Sequence, residues 1–101
     1  MDKLQVAQDL EAAADYIDQY GWTQKKFKHA DGRACIYGAV CQVTGNPYGL
    51  SPEPRTDRAM KALHAELNPI APVTWNDAAG RKKLGVTRLL RKTAKKLRVD
   101  A

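Results

Sequence analysis

A nearly continuous apolar run in the middle of the chain most constrains its fold. Residues 34 to 43 read Ala-Cys-Ile-Tyr-Gly-Ala-Val-Cys-Gln-Val and are followed by Thr44 and Gly45. Periodicity does not separate a buried helix from a buried strand in such a run, but a length of about eleven residues favours a helix. A helix that is apolar on all sides must be enclosed by other elements. The run therefore predicts a buried central helix.

Amphipathic patterns predict the helices that enclose it. Apolar side chains fall on one arc in residues 3 to 20, and Gly21 follows as a helix-ending residue. Two further helical patterns run from about residue 54 to 67 and from residue 81 or 82 to 97. A length of 101 residues is close to the commonest domain size. We therefore predict one all-α domain of about four helices over residues 1–101.

Charged residues are divided between the two ends of the chain. The net charge is +6, yet residues 1–21 sum to −4 and residues 76–101 sum to +7. Nine Lys or Arg and no acid lie between Arg81 and Arg98. Two interpretations stay open: the acidic first helix neutralises the basic last helix within the monomer, or the basic helix grips a polyanion.

The basic helix supplies the candidate residues for macromolecule binding. Its outward cations could contact phosphates, and affinity would then fall steeply with salt. These cations are Arg81, Arg88, Arg91, Lys92, Lys95 and Arg98. Against this reading, cations near a helix C-terminus are also favoured by the helix dipole. No helix-turn-helix spacing, zinc finger or RNA-recognition signature accompanies the charge pattern.

A second basic group lies in the loop after the first helix. Lys25, Lys26 and Lys28 are interleaved there with Trp22, Phe27 and His29. Such a mixture can stack bases and hold phosphates. We favour the simpler interpretation that this is a loop whose aromatic side chains close the core.

Residue types that could support catalysis are present but not arranged by spacing. Cys35, with His29 or His64 and with Asp77, would suit a cysteine enzyme if these side chains met. A free cysteine in an apolar run is more commonly a small buried residue. The cysteines and histidines match no zinc-site spacing, and the glycines form no phosphate-binding loop. We therefore expect no catalysis, metal or cofactor.

The cysteines also bear on the compartment. If Cys35 and Cys41 lie on one helix, their Cα atoms are about 9 Å apart along its axis, which is beyond disulfide reach. The sequence contains no apolar segment of membrane-spanning length and no secretory leader pattern. These features predict a protein of the reducing cytoplasm that does not associate with membranes.

Two short clusters look specific without looking catalytic. The first runs from Asp31 to Ala39, and the second is Trp75-Asn76-Asp77 followed by Gly80-Arg81. Glycine at position 38 would let another helix approach closely, and the Asn-Asp pair would satisfy amides at a helix start. We expect both clusters to be turns that define the fold, the second giving only a short turn before the last helix.

Together with Gly21-Trp22, these clusters resemble a functionally uncharacterised family of small proteins from actinobacteria and their phages. The resemblance spans about residues 10 to 90. It implies a mainly helical cytoplasmic protein, located in the host cytoplasm if phage-encoded, and it implies no activity or ligand. Its motif residues, which we expect to be structural, are Trp22, Gly32, Cys35, Gly38, Trp75, Asn76 and Asp77.

The sequence thus favours a small non-catalytic interaction protein that acts on a host macromolecule by protein–protein binding. The alternative is a nucleic-acid-binding protein that uses the basic helix. A third hypothesis is a cysteine-dependent enzyme. The identity of the partner and the oligomeric state stay open.

Overall fold

The computed structural model describes residues 2–101, and this part of the chain contains five helices. They are α1 (Lys3–Tyr20), α2 (Ile36–Val43), α3 (Pro54–Leu67), α4 (Pro72–Asn76) and α5 (Lys83–Asp100). Within residues 2–101 there is no strand, and isolated bridges alone join Trp22 and Lys28 to Ala34. The predicted all-α class is confirmed.

Helices α1 and α5 pack side by side and run antiparallel, as the ion pairs of Arg98 with Glu11 and of Arg91 with Asp18 require. Their apolar stripes supply most of the core. The buried apolar side chains of the two helices are Val6, Ala7, Leu10, Ala13, Ala14, Ile17, Val86, Leu89, Leu90 and Ala94. Each fully buried leucine, isoleucine or valine stabilises the fold by roughly 1.5 to 3 kcal/mol relative to an exposed one.

Helix α2 is the central element, and it contacts α1, α3 and α4. Ile36, Ala39, Val40 and Cys41 on it are buried, so the predicted buried central helix is confirmed. It is shorter than the apolar run because Cys35 has an extended backbone and serves as the N-cap. The run therefore begins as extended chain and continues as a helix.

Helix α3 is fastened to α1 by a largely buried carboxylate. Asp9 on α1 is 3% exposed, and its Oδ1 accepts a 2.6 Å hydrogen bond from the Arg55 guanidinium. The side-chain amide of Gln5 donates to the same oxygen at 3.0 Å. The pair explains how an acid can occupy the inner side of α1, because a buried carboxylate needs a cation and hydrogen-bond donors.

Two predicted details differ from the structure. A short helix that the sequence did not predict, α4, precedes the turn predicted at residues 76–80, and it begins with Pro72, a residue suited to the first helical position. Helix α5 begins at Lys83 and continues to Asp100 rather than to Leu97. None of the helices within the described residues is long and apolar enough to cross a membrane.

Candidate functional site

The acids of α1 neutralise part of the basic face of α5. The Arg91 guanidinium lies 3.0 Å from the Asp15 carboxylate and 2.8 Å from that of Asp18. Arg98 pairs with Glu11 at 2.7 Å, and this hydrogen bond lowers the pKa of the Glu11 carboxyl. Two of the six predicted binding cations are therefore already engaged with acids of the same chain.

Glu66 on α3 pairs with Lys92, a third of the six predicted binding cations. Glu66 is paired with Lys92 at 3.3 Å and with Lys96 at 2.9 Å. Its side chain is 14% exposed. The hydrogen bond from Lys96, with the further help of Lys92, holds the pKa of Glu66 below its ordinary value.

The remaining three cations have different surroundings. The Arg81 guanidinium lies 3.8 Å from the ring centroid of Trp75, and its Nε donates a 3.0 Å hydrogen bond to the Trp75 carbonyl. Arg88 and Lys95 are exposed and form no ion pair with any residue of the range 2–101. The six residues thus do not form one continuous unpaired surface.

The second sequence cluster builds a buried polar centre instead. Asn76 is fully buried at the end of α4. Its Oδ1 accepts hydrogen bonds from the Trp22 indole at 2.7 Å and from the Ile36 amide at 3.0 Å. Its Nδ2 donates to the Thr23 carbonyl at 3.2 Å. Asn76 therefore caps the start of α2, rather than that of α5, and ties α4 to the loop of residues 22–34.

Asp77 continues this centre into the same loop. Its Oδ1 accepts a 2.8 Å hydrogen bond from the Lys25 amide and a 3.0 Å bond from the Asn76 side chain. The backbone φ of Lys25 is 63°, and within residues 2–101 it is the only positive φ outside glycine. Such a conformation costs free energy for an ordinary L-residue. The bond to Asp77 helps to hold it.

The first sequence cluster, residues 31–39, also contacts the loop of residues 22–34, through the carbonyl of Phe27. A Cβ atom on Gly38 would overlap the carbonyl oxygen of Phe27, so this position needs glycine. The sequence predicted that a helix would approach Gly38 closely. In the structure the backbone of a loop does so instead. The Cys35 amide donates to the same carbonyl at 3.2 Å. Gly32 lies in the turn before α2, and its carbonyl accepts a 2.8 Å hydrogen bond from the Tyr16 hydroxyl.

The Cys35 thiol has the surroundings of a structural residue. Its Sγ accepts a hydrogen bond from the Gly38 amide at 3.3 Å, and burial raises its pKa. Among the described residues no histidine is hydrogen-bonded to it: His29 is bonded to the Thr23 hydroxyl at 2.8 Å, and His64 is exposed on α3. Residues 2–101 likewise contain no cluster of three potential metal ligands.

A cleft of about 380 Å³ opens where the two clusters meet. The loop before α2, the start of α2 and the short α4 all contribute to it. Its walls combine two cations and an acid with aromatic and aliphatic side chains. The lining residues are Lys25, Lys26, Phe27, Cys35, Tyr37, Val73 and Asp77.

The loop after α2 extends this surface. Gly49 packs against the rings of Phe27 and Tyr37, and the Tyr37 hydroxyl donates to its carbonyl at 3.4 Å. On either side of Gly49, the side chains of Tyr48 and Leu50 are 77% and 86% exposed. We call the combined surface the cleft face. It consists of Lys25, Lys26, Phe27, Tyr37, Tyr48, Leu50 and Val73.

Sequence reasoning singled out some of these residues and missed others. It noted Lys25, Lys26 and Phe27 as a loop group and Asp77 as a turn residue, but it did not join them. Tyr48 and Leu50 belong to a connecting loop in which no local periodicity assigns them a role. The available signal was the pattern of large apolar residues flanking Gly49 in a segment rich in proline and glycine, where a core role is uncommon.

Comparisons with known proteins assign the chain at the family level. No curated protein and no solved structure matches it. Residues 1–96 match the model of DUF6197, a family of unknown function. The match extends over all five helices but for the last turn of α5. The chain therefore belongs to this family of unknown function.

Proposed function

We propose that this is a small non-catalytic interaction protein that binds a partner protein through the cleft face. The exposure of Tyr48 and Leu50 is the observation that most supports this proposal. Single exposed apolar side chains are ordinary on protein surfaces. Several together beside a recess are typical of surfaces that bind other proteins.

The loop that presents them is closed by its own hydrogen bonds. Asn46 is buried, and its Nδ2 donates to the Ser51 carbonyl at 2.9 Å. The Gly49 amide donates to the Asn46 carbonyl at 2.9 Å. A loop that is ordered before binding loses less conformational entropy in the complex. This arrangement favours a role for Tyr48 and Leu50 in recognition.

The charges of α5 support a protein partner over a nucleic acid. Nucleic-acid affinity depends on cations that are free to replace counterions around phosphates. Arg91, Lys92 and Arg98 already pair with acids of the same chain. Binding through α5 would have to rely mainly on Arg88 and Lys95, together with Lys82 and Lys83 at its start.

The proposal also specifies the source of the protein and the compartment of its target. The sequence resemblance favours an actinobacterial or phage source, with a host macromolecule in the cytoplasm as the target. An actinobacterial extract is therefore the first in which to look for the partner.

Quantitative affinity capture tests the proposal. Immobilised wild-type protein, the Tyr48→Ser/Leu50→Ser variant and the control Leu84→Ser are incubated with a nuclease-treated extract over a range of extract concentrations. Leu84 is also an exposed apolar residue, but it lies on α5 away from the cleft lining. We expect a saturable protein that the wild type and the control retain and the double variant loses. Equal retention by all three, or no saturable protein, would contradict the proposal.

A further inference from the structure

We infer that the partner presents an acid-rich segment with an apolar side chain at its centre, which lies along the cleft face. This inference rests on the proposed function and names the chemistry of its partner. It follows from the charges at the rim of the cleft, from the aromatic walls and from the acid on the lining.

The rim carries two unneutralised cations. Lys25 and Lys26 are exposed, and neither forms an ion pair with any residue within the range 2–101. The cations of α5 that face α1 behave differently, since Arg91 and Arg98 each lie within 3.0 Å of a carboxylate. The cleft face is thus a place where the chain leaves positive charge available for an acidic group from outside.

One of these cations extends from a fixed backbone. The Lys25 amide is bonded to Asp77, and the neighbouring Gln24 side chain donates to the carbonyls of Asn76 and Ala78 at 3.0 and 2.9 Å. These bonds anchor the left-handed residue and the residue before it to the end of α4 and to the turn that follows it. The position from which the Lys25 side chain reaches out is therefore defined before any partner arrives, which favours selective binding.

The walls supply a place for an apolar side chain. The rings of Phe27 and Tyr37 meet edge to face with centroids 5.6 Å apart. Val73 is 43% exposed and lines the same cleft. A leucine-sized or aromatic side chain inserted here would bury apolar surface on three sides, while flanking carboxylates reach the lysines at the rim.

An acidic protein segment fits this site better than a nucleic acid. Asp77 also lines the cleft, and its carboxylate would repel a phosphodiester placed close to it. A peptide can keep its own carboxylates at the lysine rim and place an amide near Asp77 instead. The Trp22 ring, the largest aromatic group of the loop, has its indole N–H engaged by Asn76 and does not line the cleft.

Selection from a library of random dodecapeptides tests this inference. The displayed library is enriched on the full-length wild-type protein, and the selected peptides are measured against Lys25→Glu/Lys26→Glu and against the matched control Arg88→Glu/Lys95→Glu. We expect enriched sequences in which Asp or Glu flank an aliphatic or aromatic residue. Charge reversal at the rim should weaken their binding by about tenfold or more, and the control should bind like the wild type.

Folding is checked separately, because Lys25 has a left-handed backbone. Lys26→Glu alone lies outside that constraint and should give a smaller loss in the same direction. Circular dichroism and urea midpoints must match those of the wild type before affinities are compared.

Several outcomes would overturn the inference. They are enrichment without acidic residues, no enrichment at all, or binding that is indifferent to charge reversal at the rim. Binding of a single-stranded oligodeoxythymidine that is lost on the same reversal would replace the inference by a nucleic-acid site. A partner protein that depends on Tyr48 and Leu50 but not on Lys25 and Lys26 would leave the proposed function intact and remove this inference alone.

Discussion

The Trp22 indole N–H donates a 2.7 Å hydrogen bond to Oδ1 of Asn76, which lies 54 residues further along the chain. The bond joins the Gly21-Trp22 pair to the second of the two sequence clusters. It fixes the loop after α1 against α4, and the Ile36 amide shares the same acceptor. The cleft face is built on this junction, so the junction links the stability of the protein to the shape of its candidate binding surface.

Replacement of the shared acceptor should destabilise the protein strongly. Asn76→Ala leaves the Trp22 indole and the Ile36 amide without their acceptor in a buried place, at a cost of about 1 to 3 kcal/mol for each such group. We expect the free energy of unfolding to fall by about 2 to 5 kcal/mol in urea titrations. The exposed amide control Gln8→Ala should change it by less than about 0.5 kcal/mol. A loss from Asn76→Ala no larger than that of the control would contradict the role of the junction.

Two glycine-to-alanine substitutions should change the stability of the protein in opposite directions. Gly38→Ala pushes a methyl group into the Phe27 carbonyl and should destabilise the protein by about 1 to 3 kcal/mol, as overpacked sites do. Gly85→Ala lies in the first turn of α5, where the nearest atom to a new Cβ is 4.0 Å away. It should stabilise by about 0.5 to 1 kcal/mol because alanine favours the helix. Thermal melts of both variants measure these effects. Equal shifts of the melting temperature in the same direction would contradict the packing argument.

The Glu66 cluster should contribute to stability in a pH-dependent way. Lys96 and Lys92 lower the pKa of this carboxyl in the folded protein. Its contribution is therefore present above the pKa of the unfolded chain and is lost as the pH falls through the folded value. Glu66→Gln should cost about 0.5 to 1 kcal/mol at neutral pH.

The destabilisation caused by Glu66→Gln should depend on pH. Urea titrations of wild type and Glu66→Gln at a series of pH values should converge as the pH falls below about 4. Lys61→Ala, an exposed residue of the same helix without an ion pair in the described range, serves as a control whose effect should not depend on pH. A Glu66→Gln difference that is constant with pH, or grows in acid, would contradict the pairing.

Both thiols should react slowly in the folded protein. Burial raises the pKa of Cys35 and of Cys41, so little thiolate forms near neutral pH. We expect iodoacetamide to modify the native protein at least about tenfold more slowly than free cysteine, and urea to remove the protection. Mass spectrometry of the timed reaction gives both rates. Rapid modification of native Cys35 would instead favour the cysteine-enzyme hypothesis.

The helices could be predicted from the sequence because their signals are local. The bounds of α1 follow from its apolar arc and Gly21, and those of α3 from Pro54 and Asn68. Helix α4 was missed because it has only five residues, too few to show a helical period. Helix α5 begins at Lys83, one or two residues after the predicted start, and Arg81 stacks on Trp75 just before it.

The candidate site could be predicted only in fragments. Lys25 and Asp77 each lie in a segment that stood out locally, yet their contact depends on how the loop crosses α2 and α4. The neutralisation of α5 likewise depends on helix packing, because Arg98 and Glu11 are 87 residues apart. Such contacts are set by the tertiary structure, and no spacing rule in a single sequence encodes them.

The central claim is that the cleft face, and not the basic face of α5, meets the partner. Photo-crosslinking inside an actinobacterial cell tests it most directly, with benzoylphenylalanine placed at position 48 in one variant and at position 88 in another. Our account predicts a discrete protein adduct from position 48 that disappears when Lys25→Glu/Lys26→Glu is added, and no such adduct from position 88. A protein or nucleic-acid adduct formed from position 88 alone would contradict it.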